Sequence, residues 1–253
     1  MNAARRPLIV GNWKMHKTIA ETRAFVAALR ALPLPLEHVD AVVCPPFTAL
    51  AAAHEALAGT GVGLGAQNMN WAEQGAYTGE ISPLMLAEVG VTWVVLGHSE
   101  RRALFGELDE RVNEKVRSAL QHGITPIVAV GETGEEHAAG LARRKVEAQT
   151  QAAFAGLETD DVARCVVAYE PIWAIGSGLA DSPAGANAIM GAIRAAVPGL
   201  SGVRMLYGGS MTPANVGTFL AQPGIDGGLV GGASLQPESF AAMLDGALRG
   251  VEA

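Results

Sequence analysis

Cys165-Val166-Val167-Ala168-Tyr169-Glu170-Pro171 sets an apolar run directly before a carboxylate and a proline. A strand buried on both faces reads this way, without polar alternation, and such strands belong to parallel sheets. Outward from it lie helix-like segments at 136–154 and 184–197, and the alternation continues to both ends of the chain. Strand candidates fall at 8–11, 41–44, 62–67, 93–96, 125–130, 165–169, 203–207 and 228–230. Further helical stretches fall at 21–32, 49–58, 107–122 and 240–248. Eight strands with intervening helices form either a closed (β/α)8 barrel or a doubly wound open sheet. The count favours the α/β barrel, because eight units fit 253 residues with short loops. The expectation is one barrel domain over residues 1–253. Ser182-Pro183 and Thr212-Pro213 each predict a helix start, a capping hydroxyl before a first-turn proline.

The bulk properties narrow the class. Apolar residues make up 49% and charged residues 17%, a globular rather than a disordered composition. A net charge of −7 argues against a broad nucleic-acid surface, although a local cluster still suits a small anion. Cys44 and Cys165 stand alone in apolar runs, with no disulfide framework and no metal-ligand spacing. With no signal-like or membrane-length apolar stretch, the expectation is a reduced, cytoplasmic setting without a membrane partner.

In a (β/α)8 barrel the active site is built at the C-terminal ends of the strands. Those positions hold Asn12 and Lys14, Gln67, His98, Glu132, Glu170, Ser210 and Gly231-Gly232. Glu170, straight after a buried strand, suits a base raised by desolvation, or an ion pair with a neighbouring barrel residue. His98 precedes Ser99-Glu100, which reads as a short helix start whose dipole would favour neutral imidazole. A satisfied structural histidine is the competing reading. Lys14 offers a compact charge for a phosphate or an enolate oxygen, and Asn12 an amide donor, unless the lysine is merely solvated. Tyr207-Gly208-Gly209-Ser210 and Gly231-Gly232 follow the last two strands, where barrel phosphate sites gather backbone N–H groups. Pro171-Ile172-Trp173-Ala174-Ile175-Gly176-Ser177-Gly178-Leu179 is an apolar loop with a glycine tip, suited to a lid or to permanent packing on the rim.

Taken together, these residues resemble the triosephosphate isomerases over essentially the whole chain. The matching segments are Gly11-Asn12-Trp13-Lys14, Gly75 through Glu80, Leu96 through Arg102, Tyr169 through Gly176, Tyr207 through Ser210 and Gly228 through Leu235. The resemblance implies that Glu170 is the base, His98 a neutral electrophile and Lys14 a charge stabiliser assisted by Asn12. It also implies that Gly176, Ser210, Gly231 and Gly232 hold the substrate's phosphate. No metal or organic cofactor is implied, and the ligands are triose phosphates. Family members pair as homodimers through the 75–80 loop, so Tyr77, Thr78 and Glu80 are the expected dimer contacts, with Thr78 reaching the neighbouring Lys14 and Asn12.

Three stretches depart from the family pattern. Ser177 through Asp181 differs at the lid's far side, which leaves lid kinetics open. Ala129 stands where many relatives have cysteine, a packing change. Asn70-Trp71-Ala72-Glu73-Gln74 is bulkier and more acidic than is common, which leaves dimer affinity open. Two other readings compete: a different sugar-phosphate barrel enzyme, and a catalytically silent phosphate-binding barrel.

Overall fold

A computed structural model describes residues 5–176 and 180–252. Eight parallel strands close into a barrel in sequence order. They are β1 (Leu8–Asn12), β2 (Asp40–Cys44), β3 (Gly63–Ala66), β4 (Trp93–Leu96), β5 (Thr125–Val130), β6 (Val166–Tyr169), β7 (Arg204–Tyr207) and β8 (Gly227–Val230). β1 closes the ring on β8 through Leu8 opposite Gly227 and Val10 opposite Leu229.

Alternation along each strand divides the core into two layers. Leu8, Val10, Val42, Cys44, Val95, Ile127, Ala129, Val166, Ala168, Leu206 and Leu229 fill the barrel lumen. Their neighbours Ile9, Val43, Val94, Leu96, Val128, Val130, Val167, Tyr169 and Met205 pack outward beneath the helices. Extending the lumen parity by two residues puts Asn12, Glu170, Gly208 and Gly231 on the inner side of the mouth. Glu132, two residues beyond Val130, falls on the helix side instead.

The helices bear out the short helix expected from Ser99-Glu100 and add two corrections, at 136–154 and at Thr212-Pro213. The 107–122 stretch is preceded by a separate helix, Ser99–Phe105, stopped at Gly106 (φ 66°), before Asp109–Gln121 begins. The 136–154 stretch divides into Gly134–Ala138 and Ala142–Ala153 around Gly140 (φ 70°). Glycine reaches the left-handed region at little cost, so both act as stops inside otherwise helical patterns. Ser182 caps Pro183–Ala196 as expected, accepting from the Gly185 N–H. Thr212-Pro213 does not start a helix. The Thr212 carbonyl accepts from the Asn215 and Val216 N–H groups in a single turn, and the helix is the short Val216–Leu220.

Candidate active site

Gly97 gives β4 its ending. Its φ of 73° breaks the strand period, and an added Cβ would meet an Arg102 guanidinium nitrogen at 2.8 Å and the Ala129 carbonyl at 3.1 Å. Arg102 braces the turn by donating to the Gly97 carbonyl at 2.7 Å and the Ala129 carbonyl at 3.2 Å. The turn brings His98, which strand parity would send outward, to the mouth as the N-cap of Ser99–Phe105. There its Nδ1 accepts from the Glu100 backbone N–H at 3.2 Å. An accepting Nδ1 leaves the proton of a neutral ring on Nε2. Nε2 lies 3.0 Å from Glu170 Oε1.

Glu170 is almost fully buried, and its second oxygen accepts from the Ser99 N–H at 2.8 Å. Its N–H donates to the Val130 carbonyl, so β5 and β6 fix its backbone together. The carboxylate stem abuts Gly208, where a Cβ would stand 2.9 Å from Glu170 Cγ.

Lys14 adopts a left-handed backbone (φ 50°), rare for a side chain with a Cβ. Asn12 Oδ1 accepts its N–H at 3.1 Å, and Gln67 Nε2 donates to its carbonyl at 2.8 Å and to that of Cys44 at 2.9 Å. Strain held by such a net is the mark of a constrained site. Its ammonium pairs with Glu100 Oε1 at 2.7 Å.

A cavity of about 320 Å³ opens beside this group, between Asn12, Lys14 and Gly176 on one side and Gly208, Ser210 and Gly231 on the other. Glu170 and His98 stand behind its wall rather than in its lining, with Gly208 between. Ser210 Oγ donates to the Ala174 carbonyl at 2.7 Å, tying the loop after β6 to the loop after β7. That first loop begins with a 3-10 turn, Ile172–Ala174, and Gly176 is left-handed at φ 68°. Ser177, Gly178 and Leu179, the far part of the predicted lid, lie outside the described residues.

Glu132 is at a strand end but not in the mouth. It lies fully buried under the loop, accepting from the Tyr169 hydroxyl at 3.0 Å and the Trp173 indole at 2.8 Å. Tyr77, Thr78 and Glu80 stand apart on an exposed arch, with Tyr77 edge-on to Trp71 and Glu80 accepting from Asn70.

Sequence reasoning missed Glu100 and Arg102. Ser99-Glu100 was visible as a helix start, but the carboxylate's partner lies just beyond the end of β1, 86 residues away. Only closure of the barrel brings the two together.

A parallel barrel with a buried carboxylate–imidazole pair behind a glycine-walled cavity defines a barrel enzyme for proton transfer on a small anionic substrate. The comparisons name the kind. The triosephosphate isomerase family model matches residues 7–247, and the chain belongs to that family. Curated triosephosphate isomerases include one from Symbiobacterium thermophilum, 52% identical over 94% of this chain and 96% of its own. Another, from Chloroflexus aurantiacus, is 52% identical over 93% and 97%, and one from Carboxydothermus hydrogenoformans is 46% identical over 96% and 100%.

Proposed function

We propose that the chain interconverts dihydroxyacetone phosphate and D-glyceraldehyde 3-phosphate through an enediolate, with Glu170 as the base. The observation that carries the residue assignment is the buried Glu170–His98 pair, its tautomer set by the Glu100 N–H, one glycine behind the cavity wall. The Glu170 carboxylate takes the proton from the carbon next to the substrate carbonyl and returns it to the neighbouring carbon. His98 Nε2–H donates to the oxygens as charge moves between them, a task for neutral imidazole. Lys14 and the Asn12 amide balance the developing negative charge. Backbone N–H groups of Gly176, Ser210, Gly231 and Gly232 grip the phosphate. The loop from Pro171 to Leu179 covers the intermediate, which sheds phosphate if water reaches it.

The working setting is the cytoplasm. Among the described residues no helix is long and apolar enough to cross a membrane. The working unit is a homodimer, in which the exposed arch of Tyr77, Thr78 and Glu80 docks near the partner's site. Sedimentation at micromolar concentration should give twice the chain mass of 26.1 kDa, and a monomer would remove this assembly.

A coupled assay of glyceraldehyde 3-phosphate isomerisation tests the base. Glu170→Asp shortens its reach and Glu170→Gln removes its proton affinity, so both should lose at least about a hundredfold in kcat. A folded wild type that binds phosphate without turnover would leave the silent barrel as the reading.

A further inference from the structure

The loop after β6 meets an imidazole at its first described end, and the charge of the same ring reaches Asp181 at the second. Trp173 donates its indole N–H to Glu132 Oε1 at 2.8 Å. Glu132 is fully buried, and its Oε2 has no hydrogen-bond partner among the described residues. Tyr169 and Trp173 both serve Oε1, and a buried carboxylate with its other oxygen bare calls for a positive neighbour. The ion-pair partner the structure gives it is His137 on Gly134–Ala138, whose Nδ1 lies 3.4 Å from Oε1. The same ring lies against the Trp173 indole, 4.3 Å between centroids and tilted by 36°. His137 is 49% exposed, so it exchanges protons with solvent without any opening of the fold.

The loop's far end feels this ring too. Burial pushes the Asp181 carboxyl above the usual carboxylate range, while the Ser182 N–H and His137 pull it down. Asp181 donates its N–H to the Tyr207 hydroxyl at 3.0 Å. Glu135 and Glu136 lie on the ring's own helix. Lys145, from the next helix, pairs with Glu136 at 3.0 Å. The loop ends so held supply Ile175, Gly176 and Ala180 to the cavity wall.

We propose that His137 is a positioning residue for this loop: on gaining a proton it pairs with Glu132, rests its charge on the Trp173 face, and holds the wall-forming arrangement in place. An imidazole is the side chain that changes charge between pH 5 and 8. A cation over an indole at a partly exposed site is worth about a two- to fivefold shift in an equilibrium. Ligand grip therefore tightens as the ring gains its proton, beyond the ionisation of the ligand itself. This rests on the loop being the cover of a phosphate-binding site.

The test compares wild type with His137→Gln, neutral at every pH, and His137→Arg, charged at every pH. The probe is 2-phosphoglycolate, a phosphorylated carboxylate shaped like the enediolate. Between pH 8.5 and 5.5 the wild-type Kd, divided by that of the Gln variant at each pH, should fall by about two- to fivefold. The Arg variant should hold a low, flat ratio. In the free protein, the Trp173 indole resonance, identified by its loss in Trp173→Phe, should titrate in step with the His137 ring and stand still in His137→Gln. A wild type that binds the probe with a flat ratio, or an indole resonance that ignores the His137 titration, overturns the proposal alone. A wild type that neither binds the probe nor turns over substrate overturns the site reading and takes this proposal with it.

Discussion

Glu100 performs two separable tasks. Its backbone N–H fixes the tautomer of His98, and its carboxylate fixes the Lys14 ammonium at the cavity's edge. Glu100→Gln leaves the first intact and removes the charge from the second. Both side chains are partly open to water, so the fold should hardly notice. The chemistry should notice, because a charge misplaced by about an ångström costs on the order of a hundredfold. The expectation is a fall in kcat of about ten- to a hundredfold, with thermal unfolding little changed, read by steady-state kinetics and calorimetry. Wild-type kcat in this variant would mean that Lys14 finds its place through Asn12 and Gln67 alone.

At the scale of elements, the ends of neighbouring strands approach too closely for a side chain. A Cβ on Gly131, after β5, would be driven into the Glu170 carbonyl that follows β6. Gly131→Ala must therefore push the two strand ends apart and carry the base with them. Gly191, exposed in the middle of Pro183–Ala196, has open space where a Cβ would go. Gly191→Ala should stabilise by about 0.5–1 kcal/mol, the ordinary helical preference of alanine over glycine. Gly131→Ala should lose both stability and turnover, and denaturant unfolding beside the isomerase assay separates the two. Equal behaviour of the two variants would refute the packing argument. Such contacts mark the limit of what the sequence made legible. The strands were readable because burial on both faces leaves an unbroken apolar run, and Glu170 because it ends one. Gly106 and Gly140 escaped notice as stops, since their φ angles are set by what packs around them. Arg102 carried no such mark, because its acceptors are a carbonyl of its own turn, another on β5 and the Asp109 carboxylate.

Across the whole molecule, four weakly acidic groups among the described residues are sealed inside the barrel and beneath its helices. Burial pushes the Cys44 and Cys165 thiols up to about 12 and the Tyr207 hydroxyl likewise to about 12. It raises the Tyr169 hydroxyl further, with the Glu132 charge and hydrogen bond adding to burial. In each case the folded protein holds its proton more tightly than the unfolded chain does. The associated stability is complete below the unfolded values, near 9 for the thiols and 10 for the phenols. It drains away as pH rises through the folded ones. For Cys44, going from 9.0 to about 12 corresponds to roughly 4 kcal/mol. Denaturant midpoints should thus stay level with respect to these groups up to about pH 9 and fall steeply towards pH 12. Two optical signals should follow the same curve: tyrosinate absorbance from Tyr169 and Tyr207, and reaction of both thiols with a disulfide reagent. Cys44→Ala, which removes one of the four, should shallow the alkaline decline even where the cavity it leaves lowers stability at pH 7. Thiols that react at pH 8 faster than the chain unfolds would show that the barrel opens locally around them, and the alkaline argument would fail with that observation.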